Sequence, residues 1–315
     1  MHRRRAVLAS ALVTAALVAG ACDDGSTRRS APAGRELAPG ALSPYTGLGT
    51  WVDVYDYVPG FQDSGEPPPV TPDSIDDMAA LGVRTLYLQA AQDDLRSPGP
   101  TIDPGLLGVF LERAHANDVE VVAWYLPRLA DLDADMRRIG AIHRFRSGGE
   151  RFDGLALDIE WTQGVPDFQL RNEVLVDLSE RVRDLVGEDF AVGAIVLEPV
   201  LLEVVNPLYW PSFPWQRIRP HFDVWLPMSY WTNRREDSGF REGFRYTEEN
   251  VRRLRADLDD REAAVHTIGG IGDGATAADY DGFVRASRQA DALGWSVYDF
   301  NTVVTSAWPR LRGEN

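Results

Sequence analysis

The chain has 315 residues, with 32 basic and 48 acidic side chains, a net charge of −16 and 44% apolar residues. So acidic a body repels nucleic acid and anionic membrane surfaces, which excludes both as partners of the folded part. A single cysteine rules out an intrachain disulfide, and a chain of this length buries a large core without one.

The N-terminal stretch "MHRRRAVLASALVTAALVAGAC" sets Arg3, Arg4 and Arg5 before an apolar run from Ala6 to Ala19, with small residues leading to Cys22. That is an export signal, and its apolar part is too short to span a bilayer comfortably. "AGAC" resembles a bacterial lipobox, which implies that Cys22 becomes the lipidated first residue of a protein held on the extracytoplasmic face of the cell membrane. A lipid on Cys22 is the only membrane attachment expected. Ala19-Gly20-Ala21 also satisfies the small-x-small rule of ordinary signal cleavage, so free secretion is the alternative. Arg4-Arg5 bears a faint resemblance to a twin-arginine signal. Residues 1–21 are thus read as signal and residues 22–44, rich in Ala, Pro, Gly and Ser, as a flexible tether. Residues 45–315 are read as one domain, expected to be monomeric.

Along that domain, strand-like and helix-like stretches alternate. "TGLGTWVDVYDY" reads as a strand, and in "TPDSIDDMAALG" Thr71 caps and Pro72 opens a helix that stops at Gly82. "VRTLYLQA", a helix in "DPGLLGVFLERAHAND", "VEVVAWYLP" and the helix "DLDADMRRIGAIHRFRS" follow. "RFDGLALDIEW" is a fourth strand, after which an amphipathic helix runs from about Asp167 to Val186. "FAVGAIVLEP", a helical and loop region to Phe222, "VWLPMSYW", "YTEENVRRLRADLDD", "AAVHTIGGIG", "TAADYDGFVRASRQADALG" and "WSVYDFNTV" complete the series. Eight apolar strands alternating with helices predict an α/β fold, a (β/α)₈ TIM barrel. An open doubly wound sheet is the alternative, and it is disfavoured because no Gly-rich phosphate loop follows the first strand.

In such barrels chemistry gathers at the C-terminal ends of the strands. The residues expected there are Asp53, Tyr55 and Asp56; Gln89; Trp124 and Tyr125; Asp158 and Glu160; Glu198; Met228 and Tyr230; His266 and Thr267; and Tyr298, Asp299 and Asn301. Aromatic rings interleaved with acids and amides suit sugars, whose apolar faces stack on rings while their hydroxyls meet polar groups. The aromatic run Tyr209 to Trp215 reads either as a stacking loop or as a plug on the barrel rim. No metal site or cofactor is expected. The five histidines are scattered, no HExxH or CxxC spacing occurs, and no G-x-S-x-G elbow is present.

The fourth strand is the most informative. Leu155, Leu157 and Ile159 share one face, whereas Gly154, Ala156, Asp158 and Glu160 share the other. "DGLALDIE" resembles the D-G-x-D-x-D-x-E signature of glycoside hydrolase family 18, the chitinases and their relatives. Asp153, Gly154, Asp158 and Glu160 match it, and Ala156 replaces its inner aspartate. In the sixth strand Met228 and Tyr230 match the family's Met-x-Tyr-Asp, with Trp231 in place of the aspartate. Trp295 opens the eighth strand, where the family usually ends with a tryptophan. "LDIEW" also fits the Asp-x-Glu of lysozyme-like barrels of family 25. A glutamate nucleophile on strand seven, the design of many retaining glycosidases, finds only His266 and, further out, Asp273.

The resemblance implies a glycosidase acting on a β-linked, N-acetylated poly- or oligosaccharide of the chitin or peptidoglycan kind. Glu160 would act as general acid and then base, and Asp158 would orient the substrate's acetamido group as it attacks. Two acids at i and i+2 on one face are also close enough to share a proton, with Asp158 raising the pKa of Glu160. A sugar-binding barrel without turnover is the competing expectation, since the inner aspartate is absent.

Overall fold

Eight parallel strands close into a barrel in chain order, β8 pairing back onto β1. They are β1 (Gly47–Val52), β2 (Thr85–Gln89), β3 (Glu120–Tyr125), β4 (Gly154–Ile159), β5 (Val192–Val196), β6 (Val224–Ser229), β7 (His266–Gly269) and β8 (Gly294–Val297). The structure, a computed structural model, describes Leu37 and residues 40–62 and 65–314. The signal, Cys22 and most of the tether lie outside the described residues.

Around the barrel run α1 (Val54–Tyr57), α2 (Ser74–Ala80), α3 (Pro104–Ala116), α4 (Leu132–Arg144), α5 (Phe168–Val186), α6 (Trp215–Ile218), α7 (Gly243–Asp257), α8 (Ala277–Gln289) and α9 (Trp308–Leu311). Each strand is buried on both faces, as the unbroken apolar runs require. Asp167 caps α5 by accepting from the Gln169 and Leu170 amides.

Two expected boundaries move. The first strand stops at Val52, because Asp53 and Asp56 form a reciprocal capping box that starts α1 within the stretch read as strand. Thr71 forms a turn with Ser74 instead of capping a helix, and α2 begins at Ser74. Residues before Tyr45 also pack on the barrel: Pro44 is buried, Ala41 and Leu42 touch the core, and the Ser43 hydroxyl donates to Glu120 at 2.9 Å.

The small face of β4 has a steric cause. Tyr45 enters the barrel floor and its hydroxyl donates to the Leu155 carbonyl at 2.8 Å. A Cβ on Gly154 would lie 3.0 Å from that hydroxyl oxygen, and one on Gly193 only 2.8 Å from Leu226 and 3.0 Å from the Tyr45 ring. Small residues on the inner face therefore make room for the tyrosine. His266 belongs to the same floor, with Nδ1 3.0 Å from the Tyr45 carbonyl and Nε2 3.0 Å from the Ser296 hydroxyl. Complete burial pushes its pKa down to about 4, so it is neutral. Thr267 turns outward to Ser287 on α8 at 2.7 Å. His266 and Thr267 were both expected at the mouth and are not there, since β7 runs on to Gly269.

Candidate active site

Asp158 is the next-to-last residue of β4, and Glu160 follows the strand at the mouth of the barrel. Below Asp158, Ala156 presents only a methyl group, close to the backbone of Gly193. Asp158 is 8% exposed, and its Oδ1 is buried with no hydrogen-bond partner. Glu160 makes no hydrogen bond or ion pair with any described residue. Burial and the nearby Glu160 charge hold Asp158 well above the usual carboxylate range. Burial also raises Glu160, against the opposing pull of Arg128. The sequence assigned the raising of Glu160 to Asp158. In the structure desolvation of Glu160 itself leads, and Asp158 is not what raises it.

Tyr230, just past β6, belongs to the same group. Burial holds its hydroxyl well above its usual pKa, reinforced by Asp158, Glu160, Glu198 and Asp299 in that order. Met228, buried on β6, walls the barrel beneath it. Glu198 lies beyond β5 and is almost wholly covered, accepting from the Tyr246 hydroxyl at 2.8 Å with Arg234 at 3.7 Å. Burial pushes its carboxyl up to about 7.

A second acidic group closes the β8–β1 side. Asp53, Asp56 and Asp299 each bring an oxygen within 4.8 Å of the others, a spacing that a sugar diol or a divalent cation could use. The Tyr298 hydroxyl donates to Asp53, and Asp299 accepts from the Thr302 amide at 2.9 Å. Asp56 is pushed up to about 7 by burial, then by Asp299 and Asp53, while Asn301 offers it a hydrogen bond. Metal-ligand spacings in sequence miss this trio because Asp299 comes from the other end of the chain.

Aromatic side chains line the interior. Trp51 stacks on Tyr87 with ring centroids 4.3 Å apart, and Trp124 meets Trp51 edge-on at 6.0 Å. Tyr55 stands on the rim, 52% exposed, beneath the Arg96 guanidinium. Gln89 is buried, accepting from the Val54 amide at 3.1 Å and donating to Gln92 at 2.9 Å, so it secures the β1–α1 turn. Tyr125 faces outward and donates to Asp135 of α4 at 2.6 Å, away from the acids.

The Tyr209–Trp215 run is mainly a plug: Trp210 donates to Asn172 at 2.7 Å, and Phe213 and Trp215 pack together. Tyr209 alone reaches the mouth, where burial, Glu160 and Glu198 raise its pKa. Arg128, on the β3–α4 connection, lies 3.7 Å over the Trp161 ring beside Glu160. No strand-end pattern points to Arg128, Arg234 or Tyr209.

The motif residues divide between the two ends of the barrel. Asp158 and Glu160 are at the mouth, whereas Asp153 sits at the opposite end, accepting from the Val121 amide at 2.7 Å and facing His115 at 2.9 Å. Trp231 is fully buried against Phe283, outside the barrel. Trp295 also points outward, its indole donating to the Leu311 carbonyl at 2.8 Å, and Tyr298 takes the inner place on that side.

The closed eight-stranded barrel is similar in fold to several solved structures. An endo-1,4-β-mannanase from Rhizomucor miehei is similar, with TM-score 0.59 and 10% identity over 85% of this chain and 93% of that one. A chitinase from Bacteroides thetaiotaomicron gives 0.58 and 11% over 86% and 97%. The spore cortex-lytic enzyme SleL of Bacillus megaterium QM B1551 gives 0.56 and 9% over 85% and 74%. At these identities the likeness is one of fold. No family model matches the chain, and no curated protein matches its sequence.

Proposed function

We propose that the protein is a glycoside hydrolase acting on a β-linked, N-acetylated glycan. The observation that carries this reading is the pair at the end of β4: a buried and a half-buried carboxyl, both of raised proton affinity, with Asp158 Oδ1 lacking any hydrogen-bond partner among the described residues. Acids held for structure are ion-paired or fully hydrogen-bonded, as Asp223 is with Arg183 and Asp135 is with Tyr125 and the Leu129 amide. A raised pKa favours the protonated form, which a general acid needs.

In this reading Glu160 donates its proton to the glycosidic oxygen as the bond from C1 to that oxygen breaks. The substrate's acetamido oxygen attacks C1 from the other side, with Asp158 accepting its N–H and Tyr230 donating to its carbonyl. Glu160 then takes a proton from the water that opens the cyclic intermediate, so the anomeric configuration is retained. The unpartnered Oδ1 of Asp158 supplies the acceptor for that N–H. Aromatics at the mouth, Tyr209 and Tyr55 among them, offer faces for further sugars.

The test is proton NMR of early product from chitooligosaccharides and peptidoglycan fragments. Release of the β anomer first supports the reading, and release of the α anomer first contradicts it. A binding barrel without turnover is the second reading. Ala156 favours it, because Asp158 has no acid beneath it with which to exchange a proton. Sugar binding with no product from any N-acetylated glycan would establish that alternative. An exported protein, anchored through Cys22 or secreted, would meet such polymers outside the cytoplasm.

A further inference from the structure

We propose that Arg128 recognises a carboxylate on the glycan, so that the sugar held beside Glu160 is an acidic one. The proposal rests on the glycosidase reading for the position of the cleft.

Arg128 is held from several directions before any ligand arrives. Its amide donates to Asp135 Oδ1 at 3.1 Å, the Leu129 amide donates to Oδ2 at 2.9 Å, and the Tyr125 hydroxyl fixes the same carboxylate at 2.6 Å. On the other side Gly164 lets the loop after β4 lie against the Arg128 carbonyl, which a Cβ there would meet at 1.9 Å. The guanidinium carbon lies 3.7 Å from the Trp161 ring centroid, a cation–π contact that holds the charge at the mouth.

Among the described residues this positioned cation has no hydrogen-bond acceptor. Nη1 is buried without a partner, and none of the other guanidinium N–H groups bonds to a described residue. Other arginines at the mouth are engaged: Arg96 pairs with Asp94 at 2.9 Å and Arg234 reaches Glu198 at 3.7 Å. Its charge is felt by Glu160 and Asp94, yet no described carboxylate takes a hydrogen bond from it. A guanidinium is a planar fork that matches a carboxylate in two parallel hydrogen bonds, a geometry that a neutral sugar cannot use as well. Among the sugars that carry such a group are an amino sugar with a lactyl ether and a uronic acid. Arg128 is also the cation that acts on Glu160, which places the acidic sugar next to the bond to be cut.

The test uses the full-length chain carrying Glu160→Gln, which prevents turnover, and calorimetric titration with three tetrasaccharides. These are a β-1,4 tetrasaccharide of N-acetylglucosamine alternating with N-acetylmuramic acid, a hyaluronan tetrasaccharide, and neutral chitotetraose. We expect one of the acidic ligands to bind at least tenfold tighter than chitotetraose, and which one identifies the source of the carboxylate. Adding Arg128→Gln should reduce that preference at least tenfold, and Arg128→Lys, which keeps the charge but not the fork, should retain part of it. Circular dichroism of both variants confirms the fold. No preference for either acidic ligand, or a preference unaltered by Arg128→Gln, overturns the proposal. Wild-type turnover of the same three sugars is measured separately. Its absence would remove the glycosidase reading while leaving an Arg128-dependent preference intact.

Discussion

Replacing Asp153 by Asn is expected to cost stability while leaving turnover unchanged, although Asp153 matches the first position of the family signature. Its Oδ2 accepts from the Val121 amide at 2.7 Å and from His115 Nε2 at 2.9 Å, while Glu150 takes Nδ1 at 2.8 Å. These carboxylates, Asp153 foremost, lift the pKa of His115 to about 9. A histidine that binds protons more tightly folded than unfolded stabilises the fold fully below about pH 6.5, and this contribution is lost as pH rises through about 9. The side chains are 21% and 26% exposed, so solvent screening reduces the bond to about 1–2 kcal/mol, well below the full shift. In a domain of this size that corresponds to a Tm lower by about 3–6 °C at pH 6. Scanning calorimetry at pH 6 and pH 10 should show the deficit at pH 6 shrink to less than half at pH 10. An equal deficit at both pH values would refute the argument, as would lost turnover with unchanged Tm.

Three other outcomes follow from the same structure. Tyr125→Phe should lower stability by about 1–2 kcal/mol, since Asp135 loses a buried donor, and urea titration measures it; a rise in KM for a neutral oligosaccharide without any loss of stability would restore Tyr125 to the sugar site. Asp56→Asn should raise Tm at pH 8 and not at pH 4. Burial, Asp299 and Asp53 lift Asp56 from 3.8 unfolded to about 7 folded, so ionising it costs stability as pH rises through that window; a lower Tm at pH 8 would contradict this. Glu198→Gln should shift the alkaline limb of the pH–rate profile to lower pH. Glu198, held near 7 mainly by burial, is a negative charge facing Glu160 once it ionises, and an unmoved limb would show the two do not interact.

Strand count, parallel closure and the placement of Asp158 and Glu160 were legible in the sequence, because strands buried on both faces leave long apolar runs and period-two alternation assigns a face. The same alternation bears on Trp124 and Tyr125: neighbours on a strand face opposite ways, so only Trp124 turns inward and Tyr125 meets α4. His266 was misplaced because strand ends are poorly marked in sequence, and β7 runs three residues beyond it to Gly269. The Asp53–Asp56–Asp299 trio depends on closure of β8 against β1, which brings together residues from both ends of the domain. Arg128 and Tyr209 reach the mouth on connecting loops, where no periodicity reports side-chain direction.

The account depends most on Glu160 as the proton donor, and the direct test compares wild-type protein with Glu160→Gln on chitooligosaccharides, peptidoglycan and neutral glucans. It expects hydrolysis of an N-acetylated glycan by the wild type, a loss of at least a hundredfold in kcat for the variant, and retained binding of the same sugar by both. Hydrolysis by Glu160→Gln at the wild-type rate would contradict it.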